Sequence, residues 1–246
     1  MHDPPAVTPP SPKATSEQLP IEAVSGYEAV VRHLRREIAL GRIIPGDRLP
    51  AERKLAEQYG VARETLRQAL RVLEGSGQII VQRGAAGGPI VQASPPSLDV
   101  SLRELRENTQ NIFDLIDFRK IIEPAAARLA AQNRDEEELR SMTEAQTGIQ
   151  EAVTHDQFRR ADTAFHLAVA AASRNEVLHN AVEEARSRMF QPTDVIPYEL
   201  IKDSSHAAHQ RVFDAILAGD AQEAEAAMAE HIAVTSQEFS RVLDEL

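Results

Sequence analysis

The sequence of 246 residues contains no cysteine. This absence excludes disulfide bonds, zinc sites built from thiolates and catalysis by a thiol nucleophile, and it is neutral about the compartment. The sequence also lacks any apolar run of the roughly 18 to 20 residues that a membrane-spanning helix requires. With 42% hydrophobic residues, the chain can still bury a substantial core. We therefore expect a soluble cytoplasmic protein with one large domain or two modest ones.

The first twenty residues, MHDPPAVTPPSPKATSEQLP, include six prolines and no apolar segment typical of a signal peptide. Proline-rich segments of this kind do not form a packed core. Residues 1–20 are therefore predicted to be a flexible arm.

Charge is distributed unevenly along the chain. The net charge of −11 argues at first against a nucleic-acid-binding protein. However, residues 21–93 hold 11 Lys and Arg against 8 Asp and Glu, a net charge of +3, whereas residues 94–246 hold 15 against 28, a net charge of −13. This asymmetry favours a weakly basic nucleic-acid-binding module followed by an acidic module with another role.

Residues 21–93 carry the pattern of three helices followed by a β-hairpin. Apolar residues recur at helical spacing, Pro45-Gly46 and Gly60 break the helices, and a Gly/Ala turn separates two β-rich runs. The predicted elements are helices over 25–41, 51–58 and 62–75 and strands over 78–83 and 89–92. Their order is typical of a winged helix-turn-helix, and residues 94–97 within ASPPS are predicted to be a linker.

Everything after the linker is helical in pattern, and no strand pattern interrupts it. Residues 98–246 therefore predict an antiparallel all-α bundle of about six to seven helices, so that the whole protein is mostly α. The predicted helices cover 98–107, 111–132, 135–153, 155–173, 175–190, 197–218 and 220–243.

The third helix separates apolar from basic residues. Its apolar face consists of Leu66, Leu70 and Leu73, at spacings i, i+4 and i+7. Its basic face consists of Arg63, Arg67 and Arg71, which can reach phosphates or guanine edges in a major groove. Arg83 and Gly84, at the tip of the hairpin, can contact the DNA backbone or the minor groove. The alternative is a solvated helix face with local ion pairs.

The stretch IIPGDRLPAERKLAEQYGVARETLRQALRVLEGSGQIIVQRG resembles the DNA-binding domain of the GntR family of bacterial transcription regulators. The resemblance includes the PG turn, the LPAER segment, the GV-x-R turn and the wing. It implies contacts with operator DNA from Arg53, Arg63, Thr65, Arg67 and Gly84. Glu64 belongs to the same set but stands where many members have a small hydroxyl residue, and the wing carries an extra AAGG, so the base preference stays open.

In the second module, RRADTAFH places Asp162 and His166 four residues apart, on one face of a helix. This spacing is compatible with a surface ion pair, a catalytic acid–base couple or half of a metal site. His209 and His231 lie on the apolar faces of the last two helices, about ten residues before and twelve after a short AGDA connection. These helices must be antiparallel, so the two histidines should lie at the same height.

One carboxylate and three neutral imidazoles suit a borderline divalent ion, with zinc as the first candidate and nickel and manganese as alternatives. Asp162, His166, His209 and His231 therefore predict a metal site in the bundle core. The competing interpretation is that each histidine is a hydrogen-bonded core residue.

The segments DTAFHLAVAAASRNEVL and HQRVFDAILAGDAQEAEAAMAEH are similar to the FCD effector-binding bundle of the FadR-like branch of GntR regulators. In metal-binding members the matching Asp and three His residues hold the ion, which implies the same four ligands here. His206, one turn before His209, is expected to lie outside this set.

Arg119 and Glu123, in FDLIDFRKIIEPAAARLAA, are spaced i, i+4. They form a helix ion pair, or Arg119 lines a cavity and holds an effector carboxylate through its bidentate fork. The spacing does not decide between these two interpretations.

A DNA-reading module joined to a metal-bearing bundle predicts a transcriptional regulator rather than an enzyme. The expected protein is a repressor, with activation as the alternative, that binds palindromic operator DNA as a homodimer and responds to a small carboxylate effector at the metal. A metal-dependent hydrolase is the competing class, and an acyl-CoA-responsive regulator without metal is a second rival.

Overall fold

The computed structural model describes residues 26–82, 88–92, 98–193 and 197–245. The elements in chain order are α1 (Gly26–Ala39), α2 (Glu52–Tyr59), α3 (Arg63–Gly75), β1 (Ile79–Gln82), β2 (Gly88–Val91), α4 (Leu98–Asn133), α5 (Glu136–Glu151), α6 (His155–Ala172), α7 (Glu176–Thr193), α8 (Lys202–Ala218) and α9 (Ala221–Glu245), with a 3-10 turn at Tyr198–Leu200. The predicted mostly α fold, with a small hairpin before an all-α bundle, is confirmed.

The first three helices and the hairpin surround their own apolar cluster. The residues predicted to face inward from α3, Leu66, Leu70 and Leu73, are at most 2% exposed. Gly60 ends α2 in the left-handed conformation, and its N–H bonds to carbonyls of the last turn, which lets the chain reverse into α3. These contacts build one compact unit from residues 26–82 and 88–92, which we call the DNA-binding unit after its predicted role.

The hairpin pairs β1 and β2 antiparallel, with Ile79 opposite Val91 and Ile80 opposite Ile90. Ile79 and Val91 are buried against the helices, as expected for a sheet with one apolar face. A further bridge joins Arg48 to Ile90, so the hairpin is also attached to the turn between α1 and α2.

The helical bundle, residues 98–245, is organised around α4, which packs against α6, α7, α8 and α9. The two helices predicted over 98–107 and 111–132 are a single helix of 36 residues. Polar residues at 108–110 weaken the sequence pattern there, but Leu105 and Ile112 on either side are both fully buried in the bundle core. Tertiary packing therefore overrides the weak local propensity.

The last two helices are antiparallel neighbours, as predicted from their short connection. Gly219 ends α8 in the left-handed conformation, and its N–H bonds to Ala215 and Ile216 carbonyls. Within the described ranges, we find no helix that is both long enough and apolar enough to cross a membrane.

The separate core of the DNA-binding unit leads to a prediction for Leu73, which is fully buried. Leu73→Ala should lower the free energy of unfolding of this unit by about 2–5 kcal/mol, because the cavity left behind adds to the lost burial. Urea unfolding followed by circular dichroism measures the change. Val72→Ala on the same helix is the control, since Val72 is 39% exposed. Equal destabilisation by both variants would contradict the described core.

Candidate metal centre and DNA-binding face

Three buried histidines from three helices meet in the core of the bundle. α6 supplies His166, α8 supplies His209 and α9 supplies His231, and each is at most 5% exposed. The Nε2 atom of His209 lies 3.1 Å from the Nε2 atoms of both His166 and His231, and those two Nε2 atoms are 3.2 Å apart.

These distances suit the ligands of a single ion. Zinc binds imidazole nitrogens at about 2.0–2.1 Å, so the nitrogens of a tetrahedral site are about 3.3–3.4 Å apart. The three Nε2 atoms converge to nearly this spacing. The equal heights of His209 and His231, expected from the short turn, are the reason that α8 and α9 can present their imidazoles to the same point.

The neutral state of these histidines favours metal binding over ion pairing. Burial lowers the pKa of all three well below the ordinary value of an imidazole. The positive charge of Arg186 lowers the pKa of His166 further, and the neighbouring imidazoles do the same for His209 and His231. The rings are therefore neutral, which leaves a nitrogen lone pair free to bind a cation.

Glu123 on α4 orients one of the three rings. Its carboxylate contacts the Nδ1 atom of His166 and accepts a hydrogen bond of 2.5 Å from the Nε atom of Arg119. Burial raises the pKa of Glu123, but the charges of Arg119 and Arg186 outweigh it, so the pKa is lowered and the group is ionised. An ionised carboxylate beside Nδ1 favours the tautomer with its proton on that nitrogen, which leaves the Nε2 lone pair directed at the cluster.

Asp162 lies beside the histidine cluster but is shared with an arginine. One carboxylate oxygen pairs with Arg186 of α7, and the other is 3.6 Å from the Nε2 atom of His209. Burial raises the pKa of Asp162, but Arg186 and the three imidazoles more than offset this, so the pKa is lowered and the carboxylate is charged. Asp162 can thus reach the cluster with one oxygen while the other remains paired.

Sequence reasoning missed Arg186 and the contact of Glu123 with His166. A signal for Arg186 was present, because it stands at helical spacing among the buried Val182, Ala185 and Met189. An arginine within an apolar stripe requires a buried anion as partner. The contact of Glu123 with another helix has no comparable local signal.

Arg119 forms the ion pair that its spacing allows, and it also lines a cavity. It is 1% exposed and paired with Glu123, so this is a buried ion pair rather than a solvated one. It also lines a cavity of about 70 Å³ that adjoins the histidine cluster. The cavity is also lined by Asp162, His166, His231, Thr235 and Glu238, among others.

Those predicted DNA-contacting residues that the structure describes lie on the surface of the DNA-binding unit. Arg63 and Glu64 are exposed at the start of α3, and Thr65 is half-buried beside them. Three arginines make local ion pairs while remaining at least half exposed: Arg53 with Glu57, Arg67 with Glu52, and Arg71 with Glu64. Arg83 and Gly84 lie outside the described residues. Exposed pairs of this kind are weak enough to exchange for contacts with phosphate.

The architecture is that of a two-part regulator, with a winged helix-turn-helix preceding a helical bundle. Residues 26–87 match the family described as "Bacterial regulatory proteins, gntR family", and residues 114–234 match the "FCD domain". The HTH-type transcriptional regulator LutR of Bacillus subtilis (strain 168) is 30% identical over 217 residues, covering 83% of this chain and 97% of that protein. The chain belongs to the GntR family of bacterial transcriptional regulators and carries an FCD domain.

Other relatives extend the same result. A protein of Escherichia coli (strain K12), named as a regulator of an L-lactate dehydrogenase operon, is 32% identical over 216 residues, covering 80% of this chain and 79% of that protein. The solved structure of E. coli McbR/YncC shares the fold, with a TM-score of 0.54 at 21% identity, covering 89% of this chain and 99% of that one. The expectation of a regulator rather than an enzyme is confirmed.

The burial of the ion pair between Arg119 and Glu123 leads to a second prediction. Arg119→Met should destabilise the bundle by about 3–5 kcal/mol, because it leaves an uncompensated carboxylate in the core. Arg128→Met, on the same helix, is the control, since Arg128 is half exposed and 3.7 Å from Glu225. That variant should cost at most about 1 kcal/mol. Thermal and urea unfolding measure both, and similar losses would contradict the difference in burial.

Proposed function

We propose that this GntR-family regulator controls its binding to DNA through a metal centre in the FCD domain, to which a small carboxylate effector binds. The observation that carries the proposal is the convergence of three neutral, buried imidazoles beside a charged carboxylate, next to a cavity lined by a buried arginine. Stability alone does not require the histidine cluster or the buried arginine, since apolar residues of similar volume would fill the core at a lower cost in free energy.

His166, His209, His231 and Asp162 are the proposed ligands. Nitrogen ligands with one carboxylate suit zinc, and nickel or manganese are the alternatives. When bound, the ion supplies positive charge and coordination positions that a carboxylate can occupy. Glu123 holds the ring of His166 in place, and Arg186 balances the charge of Asp162.

The cavity limits the size of the effector. A volume of about 70 Å³ accommodates roughly five water molecules. An acid of about five to seven non-hydrogen atoms would displace them, with its carboxylate between the metal and Arg119. Lactate has about this size, and the relative named for an L-lactate dehydrogenase operon makes it the first acid to test.

DNA recognition is assigned to the start of α2, to α3 and to the hairpin, through Arg53, Arg63, Glu64, Thr65, Arg67, Arg83 and Gly84. We propose a homodimer on a palindromic operator, because the symmetry that relates two DNA-binding units is mirrored by the two half-sites of such an operator. In this scheme the protein acts in the cytoplasm as a repressor, and the effector relieves repression by binding more tightly to the form with lower affinity for DNA.

The metal assignment is tested by His166→Ala. We expect this variant, purified in the presence of zinc, to lose most of its bound zinc in elemental analysis and to lose the zinc-dependent thermal shift caused by small acids. His206→Ala is the matched control, since His206 lies one turn before His209 and outside the cluster of three. It should retain its zinc. Unchanged zinc content in His166→Ala would refute the assignment.

DNA recognition is tested with genomic fragments that the wild-type protein selects from a fragment library. Arg63→Ala and Arg67→Ala should each weaken binding by about 1–3 kcal/mol if they contact base edges, and should weaken it uniformly across fragments if they contact phosphates. Arg140→Ala, on an exposed part of α5, is the control and should bind normally. Fluorescence anisotropy measures the affinities. Normal binding by both α3 variants would exclude this face of α3 as the recognition surface.

A further inference from the structure

Arg160 of α6 joins the helical bundle to the DNA-binding unit. Its Nε atom donates to the Gly41 carbonyl at 2.7 Å, and a terminal guanidinium nitrogen donates to the Arg42 carbonyl at 3.2 Å. The same nitrogen pairs with the Asp47 carboxylate at 2.7 Å. One side chain of the bundle therefore holds three groups in the turn between α1 and α2.

The backbones fit closely at this point. Gly41 adopts a positive φ of 68°, and a Cβ atom there would lie 2.9 Å from the Cα atom of Arg160. Only glycine permits both this conformation and this approach. Asp47 also accepts a hydrogen bond of 2.9 Å from the Ile44 N–H, so the same carboxylate shapes the turn and binds Arg160.

A second attachment comes from α7. The mostly buried carboxylate of Glu183 pairs with Arg36 at 3.0 Å and with Arg42 at 2.5 Å. Arg42 is thus held twice, through its carbonyl by Arg160 and through its guanidinium by Glu183. The DNA-binding unit is attached to two different helices of the bundle at neighbouring points.

Both helices, α6 and α7, also contribute residues to the histidine site. Arg160 stands two residues before Asp162 on α6, and Glu183 stands three residues before Arg186 on α7. Asp162 and Arg186 pair with each other in the core. The contact between α6 and α7 at the site therefore lies less than one helical turn from each attachment to the DNA-binding unit.

We propose that Arg160 and Glu183 form an interdomain clamp through which occupancy of the metal centre sets the orientation of the DNA-binding unit. This inference rests on the metal centre of the proposed function. Asp162 of α6 would hold the ion together with the ligands of α8 and α9, and its pairing with Arg186 of α7 would change on binding. If α6 and α7 shift relative to each other, Arg160 and Glu183 shift with them. Both can keep their contacts with the DNA-binding unit only if that unit turns.

The test is hydrogen exchange, measured by mass spectrometry on the full-length protein with and without zinc. In the wild type, zinc should change the exchange rate of the amides at 41–48 by about fivefold or more, the lower end of typical coupling between sites. In Arg160→Ala, exchange in this segment should no longer depend on zinc, while zinc content stays normal. Glu183→Gln is a second variant, which removes the other half of the clamp and should also abolish the dependence.

Arg211→Ala is the matched control. Arg211 stands two residues after His209, as Arg160 stands two before Asp162, but it pairs with Glu230 on the surface of the bundle. It should behave as the wild type. If both clamp variants keep the wild-type response to zinc, or if the wild type binds zinc without any change at 41–48, the clamp is overturned while the metal centre stands. If the wild type binds no zinc, the proposed function itself fails.

Discussion

The structure depends on pairing charges that are buried in the bundle. Arg119, Glu123, Asp162 and Arg186 all lie in the core, where an isolated charge would cost several kcal/mol. Arg119 forms an ion pair with Glu123 within α4, and Arg186 of α7 forms one with Asp162 of α6. Because each group requires its partner, the pair of Asp162 and Arg186 constrains how α6 and α7 pack, and the contact of Glu123 with His166 constrains how α4 packs on α6.

The same pairs prepare the histidine cluster. Glu123 contacts Nδ1 of His166 in addition to pairing with Arg119. Burial and the positive charges of the neighbouring arginines both keep the imidazoles neutral. Two guanidinium groups therefore lie near a potential cation site without being ligands. Their charges are balanced by two carboxylates, so an anionic effector that enters with a divalent cation offsets part of the charge that the cation adds. This balance is the physical basis for proposing that the site senses an acid.

The sequence predicted the winged helix-turn-helix well, because its elements depend on local signals. Glycines end α2 and shape the turns, and the apolar spacing of Leu66, Leu70 and Leu73 identifies the buried face of α3. The prediction failed at residues 108–110, where α4 continues. Packing of Leu105 and Ile112 on either side outweighs the weak propensity of the polar residues between them.

The sequence by itself determined the types of elements, the family and the common height of His209 and His231, since periodicity and a short turn are local properties of the chain. Only the tertiary structure decided that Asp162 is shared with Arg186, that Glu123 contacts His166, and that Arg160 holds the turn of the DNA-binding unit. These contacts join residues that are 24, 43 and 113 positions apart. Their geometry depends on how each helix is rotated about its axis, and that rotation is set by the packing of the whole bundle.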